Sequence, residues 1–194
     1  MKKIAIFASG SGSNARKIME YFQTHPDIRV ALLVSNKSDA GALEIARSFE
    51  VPTHTINRSS FYQSEELLDV LQAHEIDFIA LAGFLWLVPA YLVQAYPQRI
   101  VNIHPALIPK YCGKGMFGHH VHEAVKAAGE IESGMTIHFV NEHYDEGDII
   151  LQVKTPLSPE DDAPQIAAKV LQLEHAHFAK TIEQILQNQS DAGA

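Results

Sequence analysis

Short, continuously apolar runs alternate along the chain with longer stretches in which apolar residues recur every three or four positions. The first pattern predicts strands buried on both faces, and the second predicts helices that cover them. Residues 4–8 read as a strand. Residues 14–22 read as a helix whose apolar positions Ile18, Met19 and Phe22 share one side. The alternation continues with a strand at 30–34, a helix at 40–49, a short strand at 53–56, and a helix centred on 65–71 for which Ser60 is a candidate cap. Residues 78–82 are apolar without a break and belong in the middle of a sheet. Pro89 opens a further helix before a strand at 99–104. A segment rich in Gly, Lys and His then leads to a helix at 120–128, strands at 135–140 and 149–154, and a long amphipathic closing helix at 162–186. This order predicts an α/β protein with an open, mostly parallel, doubly wound sheet, whose ligands sit beyond the carboxyl ends of the strands.

The strand at 99–104 ends in the most informative residues. Side chains two apart on a strand share a face, so Asn102 and His104 stand side by side while Val101 and Ile103 turn toward the core; Pro105 stops the strand. An amide that can donate a hydrogen bond, beside an imidazole that can move a proton, suits acyl transfer. The loop from Ala8 to Asn14, Ser-Gly-Ser-Gly-Ser at its centre, joins the first strand to the first helix and can hold a phosphate on its backbone amides. Gly10, Gly12 and Ala15 also fit a dinucleotide fingerprint. That fingerprint expects an acid after the second strand, where Ser35, Asn36 and Lys37 stand, so a single phosphate is the better expectation. The turn Asp145-Glu146-Gly147-Asp148 supplies carboxylates, of which one facing His104 would orient the ring and stabilise its protonated form.

Composition narrows the partners. The 194 residues are 46% hydrophobic and 20% charged, with no low-complexity linker or repeat, which fits one domain over residues 1–194. A net charge of −8 without a block of like charges argues against nucleic acid as the main partner. No apolar run is long enough for a membrane span, and the N-terminus leads straight into a strand rather than a signal peptide. Cys112 is the single cysteine, so a reducing cytoplasm is the simplest location.

Taken together these segments resemble the phosphoribosylglycinamide formyltransferases, over nearly the whole chain. The resemblance is carried by residues 4–10 and by Leu81-Ala82-Gly83-Phe84. It is carried further by the Asn-x-His-Pro segment at 102–105 with its continuation to Tyr111, and by Gln172-Leu173-Glu174-His175. The pairing of Asn-x-His-Pro with an Asp-x-Gly turn about forty residues later is its most specific part. The resemblance implies a Rossmann-like formyltransferase fold. It implies transfer of a formyl group from 10-formyltetrahydrofolate, as co-substrate, to the amine of glycinamide ribonucleotide in purine synthesis, by a monomer or homodimer. It also assigns Gly12, Ser13 and Asn14 to the ribonucleotide phosphate, Glu174 to the sugar or glycinamide end, and Asn102, His104 and Asp145 to the chemistry. The folate head falls to the backbone around Leu85, Leu87 and Val88, together with Asn102 and Asp145. This sequence departs from the family at Trp86, where many members have Arg, at Ala106 in place of Ser, and in a longer loop at 112–119.

The implied chemistry needs no metal and no covalent intermediate. Asn102 donates to the formyl oxygen as it gains charge, a protonated His104 stabilises it, and Asp145 keeps His104 charged or takes the amine proton through water. Three other classes compete. A metal-dependent hydrolase is suggested by His119, His120, His122 and Glu123 among eleven histidines, but adjacent ligands on a helix are expected to point apart. An NAD(P)-binding oxidoreductase lacks its ribose acid, and a binding module leaves the trio without a purpose. Among relatives, the span expected here excludes the regulatory domain of formyltetrahydrofolate hydrolases and the nucleic-acid domain of methionyl-tRNA formyltransferases. Formyltransferases acting on sugar-nucleotide amines stay open.

Overall fold

Alternation along the strands divides the core in two. Ile4 and Ile6 of the first strand pack into one apolar cluster, and Ala5 and Phe7 into another on the opposite face. A strand with no polar face has to be central, and it is. In the computed structural model, which describes residues 1–191, seven strands form one sheet in the order β3-β2-β1-β4-β5-β6-β7. The strands are β1 (Lys2–Phe7), β2 (Ile28–Ser35), β3 (Thr53–Thr55), β4 (Phe78–Leu81), β5 (Ile100–His104), β6 (Glu132–Phe139) and β7 (Ile149–Pro156). The first five are parallel, and β6 and β7 each pair antiparallel with the preceding strand.

Helices cover both faces. On one side α1 (Ser13–Phe22), α2 (Gly41–Ser48), α6 (His119–Ala127) and α7 (Ala163–Asp191) bury Ile18, Phe22, Ala42, Leu43, Val125, Ile166, Phe178 and Ile182. On the other, α3 (Arg58–Tyr62), α4 (Glu66–Ala73) and α5 (Ala90–Ala95) bury Phe61, Leu67, Leu71 and Leu92. Each fully buried Leu, Ile or Phe contributes about 2–3 kcal/mol relative to exposure. Among the described residues, no helix is long and apolar enough to cross a membrane.

One expectation fails locally. Ser60 does not cap the helix at 66–73; it is the third residue of α3, and it exchanges hydrogen bonds with Asn57 in a capping box. The pair Asn57-x-x-Ser60 satisfies two free amides at once, so a separate short helix forms there. The closing helix starts as expected, with Asp162 and Gln165 exchanging reciprocal bonds of 2.8 Å each, and runs on to Asp191.

The winding reverses between β1 and β4. β1 leads through α1 to β2 on one side, and the chain later returns to lay β4 on the other. At such a reversal the loops that follow the two strands diverge and leave a crevice. Ser9, two residues beyond β1, fastens its walls: its hydroxyl donates to Asn36 Oδ1 at 2.6 Å and accepts from the Leu85 amide at 3.0 Å. Asn36 stands near where a dinucleotide fold would place its ribose acid, and its side-chain oxygen is taken by this bond.

Candidate active site

Asn102 and His104 share the sheet face of Ile100, as their spacing requires. Antiparallel register sets His138 of β6 opposite Asn102, and Thr136 opposite His104. Four polar side chains thus line one face at the β5–β6 seam. Thr136 braces the chain after the strand: its hydroxyl donates to the Ala106 carbonyl at 2.6 Å and accepts from the Ile108 amide at 3.2 Å. Gln152 of β7 adds bonds to Thr136 and to the Ile108 carbonyl.

Asp145 arrives from the turn between β6 and β7. Its φ of 57° is left-handed, and Gly147 beside it has no alternative, since a Cβ there would stand 1.7 Å from the Phe139 carbonyl oxygen. This tight turn sets the carboxylate between two rings. Oδ2 lies 3.6 Å from His104 Nδ1 and Oδ1 lies 3.5 Å from His138 Nε2. The Gly113 amide donates to Oδ2 at 2.9 Å and Asn102 Nδ2 to Oδ1 at 3.2 Å. Asn102 Nδ2 also faces His138 Nε2 at 3.1 Å, while His138 Nδ1 donates to the Phe139 carbonyl at 2.8 Å. The three residues picked from sequence therefore meet, and His138, the Tyr111 carbonyl and the Gly113 amide complete the cluster.

The electrostatics bear on the expected protonation of His104. Burial pushes the Asp145 carboxyl up, but the His138 ring, the neighbouring His104 and the Gly113 amide outweigh it and hold the group below the usual carboxylate range. Burial also dominates at His104, and it drives that ring below the ordinary histidine range despite the pull of Asp145 and the Tyr111 carbonyl. The two shifts point different ways for an ion pair. We assign a carboxylate beside a neutral imidazole, because 3.6 Å is beyond hydrogen-bond reach. His104 Nε2 donates to the Tyr111 carbonyl at 2.7 Å, which leaves Nδ1 as an unprotonated base facing the carboxylate.

These groups lie on the wall of a cavity of about 650 Å³. One flank is formed by Leu85, Trp86, Leu87 and Val88, the other by Asn14 and Glu174. Gly12 and Ser13 are not on this wall. Gly12 is buried with φ of 82°, and a Cβ on it would meet Ala42 Cα at 2.6 Å, so its smallness lets α1 and α2 approach. Ser13 opens α1, beside the free amides of the helix start. Glu174 accepts from Asn14 Nδ2 at 2.6 Å. Burial pushes its carboxyl up to about 7 against the opposing pull of that bond. Asn14 lines the cavity, and its Oδ1 is buried with no hydrogen-bond partner.

Trp86 is half-buried and packs with Phe61, Tyr62 and Phe84, and the Arg58 guanidinium lies 5.2 Å over its ring. His122 is buried on the cavity wall with Nδ1 unpartnered, and burial first, then the neighbouring His104, lowers its pKa. Sequence reasoning did not separate His122 from the exposed histidines beside it. His138 was also missed; the available signal was a lone imidazole inside an apolar strand. His119 and His120 do not point apart as expected. Their ring centroids are 4.0 Å apart, because side chains in a first helical turn meet no preceding turn that restricts their rotamers.

Comparison with known proteins agrees with this geometry. Residues 2–182 match the formyl transferase family model. A chloroplastic phosphoribosylglycinamide formyltransferase of Arabidopsis thaliana is 44% identical over 187 residues, which are 93% of this chain and 64% of that protein. The Vigna unguiculata counterpart is 42% identical, with 60% of its length matched, so the chain spans about three fifths of these plant proteins. A Bacillus subtilis protein of the same name is 36% identical over 96% of this chain and 95% of its own. Among solved structures, a phosphoribosylglycinamide formyltransferase from Anaplasma phagocytophilum superposes with a TM-score of 0.87 at 32% identity, covering 96% of this chain and 87% of that one. A family match over nearly every described residue, with full-length bacterial relatives and a shared fold, places the chain in the formyl transferase family.

Proposed function

We propose that this protein transfers the formyl group of 10-formyltetrahydrofolate to the primary amine of glycinamide ribonucleotide. The observation that carries the reading is the meeting of Asn102, His104 and Asp145 on the wall of a cavity with two unlike flanks. The apolar flank at 85–88 suits a flat folate head. The polar flank, with Asn14 and Glu174 and next to the free amides that open α1, suits a ribose phosphate. The names of the bacterial and plant relatives support the formyl transfer and its acceptor.

The residues divide the work as follows. The amine attacks the formyl carbon, and charge gathers on the formyl oxygen. An Asn102 N–H, shared at rest between Asp145 and His138, turns to that oxygen. The proton released by the amine passes through water to the Asp145–His104 pair, where Nδ1 is free to take it. The ring that charges then opposes the oxyanion and is itself held by the carboxylate. Collapse breaks the bond to the folate nitrogen, which receives the proton. No step requires a metal. The test is an assay of purified protein with both substrates, with and without chelator. Chelator-insensitive formylation is expected. No transfer to glycinamide ribonucleotide, or transfer only to a sugar-nucleotide amine, would overturn the assignment.

A further inference from the structure

At the mouth of the cavity, outside the proposed chemistry, the first turn of α6 exposes His119, His120 and Glu123. Each offers a ligand atom within 4.8 Å of the other two, and His120 Nδ1 stands 3.5 Å from Glu123 Oε2. Ligands bound to tetrahedral zinc at about 2.0–2.1 Å lie roughly 3.3 Å from one another, so rotation of exposed side chains is enough to close the set. Spacing favours it: 119 and 123 are one turn apart, and 120 and 123 are three apart, so Glu123 can reach either ring.

We propose that His119, His120 and Glu123 form a binding site for a late first-row divalent cation, zinc being the fitting ion, separate from the reacting groups. Two imidazoles and one carboxylate select such an ion over magnesium or calcium, which prefer all-oxygen shells. The fourth position stays open to water. The positive end of the helix opposes a cation and the Glu123 carboxylate offsets it, which places the affinity in the micromolar range rather than that of closed structural sites. His119 also lines the cavity, and Gly113, Gly115 and Gly118 in the segment before it all have positive φ. An ion gripping His119 would tie the end of that segment and restrict the mouth.

The experiment needs no turnover, so its result is independent of the assigned activity. Chelator-stripped protein is titrated with zinc chloride by calorimetry, and with cobalt chloride while the visible absorption of tetrahedral cobalt is followed. One equivalent is expected to bind at micromolar concentration. His120→Ala and Glu123→Gln should each weaken binding at least about tenfold, and His143→Ala, an exposed histidine of another loop, should leave it unchanged. Circular dichroism verifies that the variants are folded. Absence of saturable binding, binding that survives both ligand variants, or loss of binding in His143→Ala would overturn the proposal.

Discussion

Asp145 touches four partners, and its charge is the largest influence raising the buried His104 ring. Asp145→Asn should therefore move the His104 pKa further below the ordinary histidine value, readable by NMR titration of the ring, while formyl transfer falls nearly to background. Asn102→Ala removes the proposed oxyanion donor and should lower kcat about 10²–10³-fold, with a smaller change in KM. A variant that keeps full turnover would remove that side chain from the mechanism. Glu174 gives a sign that can be worked out. Its folded pKa of about 7 lies above its unfolded value, so the folded chain binds more protons between pH 4.5 and 7, and stability falls as pH rises through that window. Glu174→Gln should flatten the decline, a difference of a few kcal/mol in denaturant titrations at pH 5 and 8.

The elements show where sequence was enough and where it was not. Strand and helix order followed from periodicity, because β1, β2 and β4 are built on unbroken apolar runs and the helices carry one apolar side. Asn102 and His104 could be paired from spacing alone. Their link to Asp145 came from the resemblance, since nothing local says which of three nearby acids turns inward. That choice lies in the backbone of the turn, where Gly147 passes against Phe139. Gly147→Ala should thus lower both the thermal midpoint and kcat, because the turn must move off the Phe139 backbone and in doing so re-aims the carboxylate. His138 was invisible for a related reason: its place opposite Asn102 depends on an antiparallel pairing that periodicity does not give. Ser60 misled because a capping box and a lone cap look alike until the partner residue is known.

For the molecule as a whole, the two flanks of the cavity come from distant parts of the chain, with Asn14 on α1, residues 85–88 after β4 and Glu174 on α7. A ligand held by Asn14 and Glu174 joins α1 to α7 in the folded state and meets nothing comparable in the unfolded one. Glycinamide ribonucleotide at a hundred times its Kd should stabilise by ~2.7 kcal/mol, raising Tm by roughly 5–10 °C in a thermal shift measurement. The aromatic group around Trp86 extends the apolar flank proposed for the folate. Trp86→Ala should raise KM for the folate substrate and leave kcat nearly unchanged, and a loss confined to kcat would argue that the indole has no part in binding.

The hydroxyl of Ser9 ties the strand-one loop, Asn36 and the backbone of Leu85 into a single knot. A push on the apolar flank at Leu85 is thereby carried to the loop that leads into α1, where the proposed phosphate amides stand. Cutting the knot with Ser9→Ala would leave each half of the crevice to greet its own visitor, deaf to the other.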